Sequence, residues 1–340
     1  MFQPIRTKRL VIRAMRPDDA ESLWERRNDP EVARYQDWSL PFPRERAEQI
    51  AAESAAMGGP RNDDWWMAIV EIAETGETVG DLVVHLESEG RTAEIGYTLA
   101  SAHWRKGYAT EATAALIEYL FETLVVTRVF GMLHPDNRAS AMVLERSGML
   151  FEGHTRSSFW LDDEVSDDWI YGMVREDWEA WRDRPRTRPE QVGLVEITPD
   201  NLAAVAALGT HRSQEAFVAP MGRSFAQALV PSPSDGQEVT PWLRTIEADG
   251  EVVGFVMLAL AEGRDPFLWR LLIDRMHQRR GIASRALELV ENEVRMIGGQ
   301  SLRVSWREGR GSPGDFYLAR GFEPTGKVHG GETEACKPLV

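Results

Sequence analysis

Two matched halves, each mixed α/β, are what this sequence predicts. Three observations point there. At 340 residues the chain is long for one average domain and suits two of about 150 to 170 residues. A charged, proline-containing stretch without large apolar side chains, Arg182 to Gln191 (RDRPRTRPEQ), divides it near the middle. The order of apolar periodicities on one side is broadly repeated on the other. The expected division is 1–181, a linker at 182–191, and 192–340.

In the first half RLVIRAM (Arg9 to Met15) reads as a strand, and PDDAESLWERR opens a helix with Pro17 and two acids in its first turn. PRERAEQIAAESAAM is a second helical stretch, stopped at Gly58-Gly59. WWMAIVEI, TVGDLVVHLE and AEIGYTLA read as three strands joined by short polar turns. From Gly107 to about Thr123 the pattern is amphipathic and helical. TRVFGMLH is a further strand, NRASAMVLERSG a short helix closed by Gly148, and two strands run to Val174.

The second half begins with the strand GLVEIT and the helix PDNLAAVAALG, followed by a shorter helix in RSFAQALV. WLRTIEA and EVVGFVMLAL form a hairpin around Asp249-Gly250. FLWRLLID is a strand, and GIASRALELVENEVRMIG a helix with Gly298 as its C-cap. SLRVSWRE, DFYLARG and a final strand pair complete it; PSPSDGQEVTP reads as an irregular connection. Nine of the twelve tryptophans precede Arg182, so the halves are not recent copies of each other.

Composition excludes several classes. Hydrophobic residues at 43% and charged residues at 27% leave each half enough for a core, and a net charge of −15 disfavours a phosphate backbone as partner. The lone Cys336 excludes a disulfide framework or cysteine-clustered zinc, and the seven histidines have no metal-ligand spacing, so no metal is expected. With no apolar run of about 18 residues and no hydrophobic stretch in MFQPIRTKRL, no membrane span is expected and a cytoplasmic location is the default.

Two loop–helix junctions carry the functional signal. His103-Trp104-Arg105-Lys106-Gly107-Tyr108-Ala109-Thr110 and His277-Gln278-Arg279-Arg280-Gly281-Ile282-Ala283-Ser284 each follow an apolar strand and open a long helix. Unpaired N–H groups and the positive dipole end at a helix N-terminus suit a phosphate. Gly107 and Gly281 permit close approach, Ala109 and Ala283 keep the next turn narrow, and the basic residues add charge. Neither segment fits the Walker pattern or the dinucleotide fingerprint, which favours another pyrophosphate ligand.

These residues resemble the GNAT superfamily of N-acetyltransferases, whose signature is Gln/Arg-x-x-Gly-x-Gly/Ala. Gln278 to Ala283 matches it in full, and Trp104 to Ala109 departs at its first position. The resemblance implies two tandem domains, each a central mixed, mostly antiparallel sheet flanked by helices, with acetyl-CoA pyrophosphate held by Arg105 to Thr110 and by Gln278 to Ser284. The first half is similar to the ribosomal-protein alanine acetyltransferase branch through Asn28 to Tyr35, Glu94-Ile95-Gly96-Tyr97 and Asn137 to Ser140. The second is similar to bacterial diamine and spermidine acetyltransferases through Phe217 to Pro220, Leu272-Ile273-Asp274 and Phe316 to Phe322.

Direct transfer to an amine needs a group that removes a proton from it and a group that protonates the leaving thiolate. The resemblance makes Glu94 the candidate base, otherwise a surface glutamate on a strand. Asn137 reads as an N-cap, and the resemblance adds a contact to the pantetheine arm, with Ser140 facing the thiol. No tyrosine occupies the usual acid position of the first half. In the second half Tyr317 matches it, or is a core tyrosine. Asp274 and Glu332 are candidate substrate contacts; Trp38 and Trp160 either line an acceptor pocket or pack in the core. The expected acceptor is a small cationic amine or a peptide N-terminus. An antibiotic such as an aminoglycoside is the second reading, and an acetyl-CoA sensor or scaffold role for one or both halves is the third. The halves are expected to pack as a pseudo-dimer in a monomer or to form a homodimer.

Overall fold

A computed structural model describes residues 1–231 and 237–339. Part of the PSPSDGQEVTP connection, 232–236, lies outside the described residues. The chain divides into two compact units, Met1–Asp183 and Arg184–Val340.

The first unit runs β1 (Ile5–Arg6), β2 (Leu10–Ala14), α1 (Ala20–Arg27), α2 (Pro30–Ala33), α3 (Arg44–Met57), β3 (Trp65–Ile72), β4 (Thr78–Glu87), β5 (Thr92–Leu99), α4 (Tyr108–Glu122), β6 (Arg128–Leu133), α5 (Arg138–Arg146), β7 (Leu150–Leu161), β8 (Glu164–Val174) and α6 (Arg175–Asp183). Its sheet has the order β1-β2-β3-β4-β5-β6-β8-β7. Every neighbouring pair is antiparallel except β5 with β6, which α4 joins as a crossover.

The second unit runs β9 (Val192–Val195), α7 (Leu202–Ala207), α8 (Met221–Leu229), β10 (Thr240–Ala248), β11 (Glu251–Leu260), β12 (Phe267–Ile273), α9 (Ile282–Met296), β13 (Ser301–Arg307), α10 (Gly314–Leu318), β14 (Glu323–His329) and β15 (Glu332–Pro338). Its order, β9-β10-β11-β12-β13-β15-β14, repeats the first with one parallel pair, β12 with β13. The expected fold, two domains each with a mixed, mostly antiparallel sheet flanked by helices, is the one observed.

Each sheet separates two apolar clusters. In the first unit α4 buries Ala112, Leu116, Ile117, Leu120 and Phe121 against Leu82, Val84, Ile95 and Val129, while the opposite face packs Met67 and Ile69 on Leu23, Ala47 and Ala51 of α1 and α3. Helical spacing puts these α4 side chains on one stripe, and each large one contributes about 1.5–3 kcal/mol by leaving water. In the second unit α9 covers one face through Ile282, Leu287, Val290 and Val294, and α7 and α8 cover the other through Val205 and Met221.

Helix α6 has no counterpart in the expected order. It forms because Trp178 stacks on Phe121 at 5.4 Å and Trp181 lies over Gly148, where a Cβ would stand 2.3 Å from the indole Cγ. Arg182 and Asp183 therefore belong to a helix, and Gly148 makes room for an indole as well as ending α5.

Candidate active sites

The two loops have the same backbone. After β5 comes a 3₁₀ turn, Ser101–His103; Trp104 is extended (φ −67°, ψ 159°), Arg105 is left-handed (φ 63°), and Gly107 caps α4 at φ 80°. After β12 comes Arg275–His277; Gln278 has φ −65° and ψ 160°, Arg279 φ 65°, and Gly281 caps α9 at φ 80°. Left-handed conformation costs a non-glycine residue about 1–2 kcal/mol, so its presence at both arginines marks a backbone held by its surroundings. Such a turn at a helix start aims successive N–H groups into one concavity, an anion nest. The N–H groups of Tyr108, Ala109 and Thr110, and of Ile282, Ala283 and Ser284, precede the first α-helical bonds, Glu111 N to Gly107 O and Arg285 N to Gly281 O. Both loops therefore fit the pyrophosphate of acetyl-CoA.

Side chains around the loops differ. Arg9 brackets the first: its Nη1 donates to Lys106 O at 2.8 Å, its Nε pairs with Glu111 at 2.6 Å, and its guanidinium covers Tyr108 at 4.8 Å. Burial opposes ionisation of Glu111, but hydrogen bonds from Thr7 and Arg9 outweigh it and hold the carboxyl below its usual range. Arg105 and Lys106 remain exposed. In the second loop Arg279 is exposed, whereas Arg280 turns inward, donating from Nε to Thr187 O at 2.8 Å with Nη1 3.0 Å from His277 Nδ1. Gln278 donates to Ile273 O and pairs with Gln214, and Ser284 is bonded by Arg320, which lies over Phe316.

Behind each loop the parallel strands part. β5 and β6 pair only from Thr92–Arg128 to Glu94–Phe130, and β12 and β13 only at Phe267–Arg303 and Leu268–Val304. The main chain beyond is paired on one side, which leaves a wedge for an elongated ligand with amide groups. At the first wedge Asn137 caps α5 by accepting the Ser140 N–H at 3.1 Å. Tyr97 donates to Ser140 O at 2.9 Å, and its hydroxyl is 2.8 Å from Ser140 Oγ. Burial pushes the Tyr97 phenol upward, so it stays protonated. A tyrosine supplied by strand β5 therefore backs Ser140 in the first half. Its sequence signal was the Glu94-Ile95-Gly96-Tyr97 run, in which alternation sends Tyr97 and Ile95 to the α4 side and Glu94 to the other.

Glu94 lies directly opposite His85 on β4, and Val83, His85 and Glu87 share the face packed by α1 and α3. Burial raises the Glu94 carboxyl above its usual value of 4.5, and the charges of Glu87, Asp37 and Asp168 raise it further while His85 lowers it. His85 Nδ1 is 3.3 Å from Glu87 Oε1, and Trp65 stacks on the imidazole at 4.6 Å. Ligand atoms of His85, Glu87 and Glu94 lie within 4.8 Å of one another, a donor set that cross-strand pairing assembles and chain spacing does not show. Trp38 is buried with its ring face covered by Arg27 at 4.3 Å, and Trp160 is exposed on the edge strand β7, so the two indoles have different surroundings.

The second site is built differently. Tyr317 is buried against Trp306, Phe316 and Phe322, and its hydroxyl has no hydrogen-bond partner among the described residues. Burial pushes this phenol upward too. Asp274 accepts from Met276 N and Gly209 N, both at 2.9 Å, and so fixes the strand end. Glu332 accepts from Ser305 Oγ at 2.5 Å. β12 (FLWRLLI) carries no carboxylate; a bulge at Trp269 precedes the largely buried Arg270, which donates to Trp269 O and to Gln227.

Comparisons with known proteins identify the family. The acetyltransferase (GNAT) domain model matches residues 9–150, and the acetyltransferase (GNAT) family model matches 210–310. Uncharacterized N-acetyltransferase YoaA of Bacillus subtilis (strain 168) is 30% identical over 176 residues, covering 52% of this chain and 98% of that protein. The putative ribosomal N-acetyltransferase YdaF of the same organism is 35% identical over 106 residues, 31% of this chain and 58% of that protein. A GNAT-family acetyltransferase crystal structure from Bacillus anthracis is 27% identical, covers 51% of this chain and 99% of that one, and has a TM-score of 0.47. The chain belongs to the GNAT acetyltransferase family. It is an N-acetyltransferase by architecture, with the acetyl-CoA-binding fold present twice. Among the described residues no helix is long and apolar enough to cross a membrane.

Proposed function

We propose that the first half transfers acetyl groups to a primary amine and that the second holds acetyl-CoA without a transfer step of its own. The observation that carries the first part is Glu94, a half-buried carboxylate where β5 and β6 part, grouped with His85 and Glu87 and raised by burial and by the charges of Glu87, Asp37 and Asp168. These negative charges attract an ammonium group, and a carboxylate titrating above its usual range is better matched to taking a proton near neutral pH. Acetyl-CoA supplies the thioester carbonyl that the amine attacks. Glu94 accepts the proton the amine releases, and Ser140 Oγ, backed by the Tyr97 hydroxyl, donates one to the departing sulfur. Backbone N–H groups of the Arg105–Thr110 loop hold the pyrophosphate, and Asn137 keeps Ser140 in place.

Within this reading the acceptor is a small cationic amine or a peptide N-terminus; the similarity to YdaF over 106 residues favours the peptide class. For the second half, Asp274 and Glu332 are engaged in holding the fold, and β12 offers no carboxylate. The test is thiol release from acetyl-CoA by the full chain across diamines, spermidine, aminoglycosides and peptides with N-terminal alanine or serine, repeated with Glu94→Gln. Saturable release that this substitution abolishes supports the reading. Release that survives it moves catalysis elsewhere.

A further inference from the structure

Arg26 and Arg27 end α1, and both are buried. Arg26 takes the buried carboxylate of Asp81, donating from Nε at 2.9 Å and Nη2 at 2.5 Å to Oδ2, and its Nη1 reaches the Ser22 carbonyl and hydroxyl. Arg27 has no carboxylate, carbonyl or hydroxyl acceptor among the described residues, although only 9% of it is exposed. Its guanidinium carbon lies 4.3 Å from the Trp38 ring centroid and 4.9 Å from that of Phe42. Trp38 is itself anchored by donating Nε1–H to Arg27 O at 3.0 Å. Nε is enclosed without an acceptor, whereas the two terminal nitrogens keep accessible surface.

Buried charges are normally paired, and an arginine cannot escape the cost by losing its proton. Two rings therefore hold a guanidinium rigidly with the open end of its fork unpaired. Burial lowers its pKa; Asp81 and Asp37 partly offset this, and Arg26 and Arg46 add like charge. Trp38 and Phe42 belong to the cluster that packs on the Val83 face of the sheet, the face that also carries His85 and Glu94, so Arg27 and the candidate base share one face of the sheet. The segment from Arg27 to Trp38 also carries Tyr35, whose ring lies 5.2 Å from that of His134, shortly before Asn137.

We propose that Arg27 is the oxyanion-binding group of the first half's acceptor site, so that the acceptor carries a carboxylate or phosphate in addition to its reactive amine. A planar fork with both terminal nitrogens open is the geometry that receives such a group in a bidentate manner. The acceptor class narrows to amino acids, peptides with an acidic group near the N-terminus, or amino phosphates, and simple diamines are disfavoured. This rests on the reading of the first half as the transferase.

The experiment reads Arg27 directly, so it does not depend on turnover. In the full chain labelled with ¹⁵N-arginine and saturated with desulfo-CoA, the Arg27 Nε–H signal is assigned by its loss in Arg27→Lys. L-lysine is then titrated against 1,5-diaminopentane, and phosphoethanolamine against ethanolamine. A saturable shift with the oxyanion-bearing member of either pair, and none with its partner, is expected, and the responding pair tells carboxylate from phosphate. No shift with lysine or phosphoethanolamine, or an equal shift with the partners that lack the oxyanion, overturns the proposal. Arg27→Lys, checked for an unchanged melting profile, should also lower the preference in kcat/KM for lysine over diaminopentane about tenfold, the loss of one bidentate contact. A shift without any thiol release would sink the transferase reading while leaving the anion site standing.

Discussion

The two cofactor loops agree in backbone to within a few degrees at the residues that form the nest, yet almost nothing around them agrees. In the first half Arg9 ties the loop to the first strands and Glu94 stands on the strand before it. In the second Arg280 turns inward, β12 is apolar but for Arg270, and the free hydroxyl is Tyr317. Cofactor binding depends on main-chain geometry, which many side chains can support. Proton transfer depends on individual side chains, which the two halves have placed differently: one has the carboxylate, the other the unpartnered phenol.

The largest expected effect breaks the comparison at the base. Glu94→Gln should lower kcat for thiol release by roughly 10²- to 10⁴-fold, the range for removing a positioned general base, while Tyr317→Phe leaves it unchanged. The reverse pattern in initial rates would give catalysis to the second half.

Next comes the loop the halves share. Calorimetry should count two acetyl-CoA sites per chain, and Gly107→Ala or Gly281→Ala should each weaken one about tenfold, because an alanine held left-handed costs about 1–2 kcal/mol. The added Cβ would also stand 3.3 Å from Arg9 Nη2 or 3.4 Å from Arg188 Nε. If Gly281→Ala changes neither site, the second half does not bind in this way.

A smaller effect sharpens the role of Glu94. In the role proposed for it Glu94 works as carboxylate, so kcat/KM should rise with pH through its pKa, and burial together with Glu87 moves that limb above the usual 4.5. Glu87→Gln removes a charge that raises Glu94 and should move the limb to lower pH; His85→Gln removes one that lowers it and should move the limb up. A pH–rate profile unmoved by both would detach the limb from Glu94.

The smallest concerns the far end of the same helices. After α9 the left-handed position is Gly298 at φ 82°, whereas after α4 it is Val125 at φ 58°, a β-branched residue in a conformation it strongly disfavours. Val125→Gly should stabilise the first half by about 1 kcal/mol, raising its melting temperature by about 2–4 °C in calorimetry. Gly298→Val should lower that of the second.

Much of this was legible along the chain. The element order followed from periodicity, and both loops from a glycine between basic residues and a helix start. Asn137 was readable as a cap. Helix α6 was not, because REDWEAWRD has two indoles on a charged background and its reasons for folding, Phe121 and Gly148, are distant in sequence. Tyr97 beside Ser140, His85 and Glu87 beside Glu94, and the inward turn of Arg280 were hidden for the same reason.

By itself the sequence determined the two-domain α/β organisation and the paired glycine loops at helix starts, because hydrophobic period, turn residues and helix starts are local properties of the chain. The reaction class came through the family those loops resemble. Tertiary structure alone decided that the Glu94 carboxyl is raised and that, among the described residues, the Tyr317 hydroxyl and the Arg27 fork lack a hydrogen-bond partner. Those properties arise from burial and from neighbours across strands, and solvent exclusion gives a charge its energy only once the chain has folded around it.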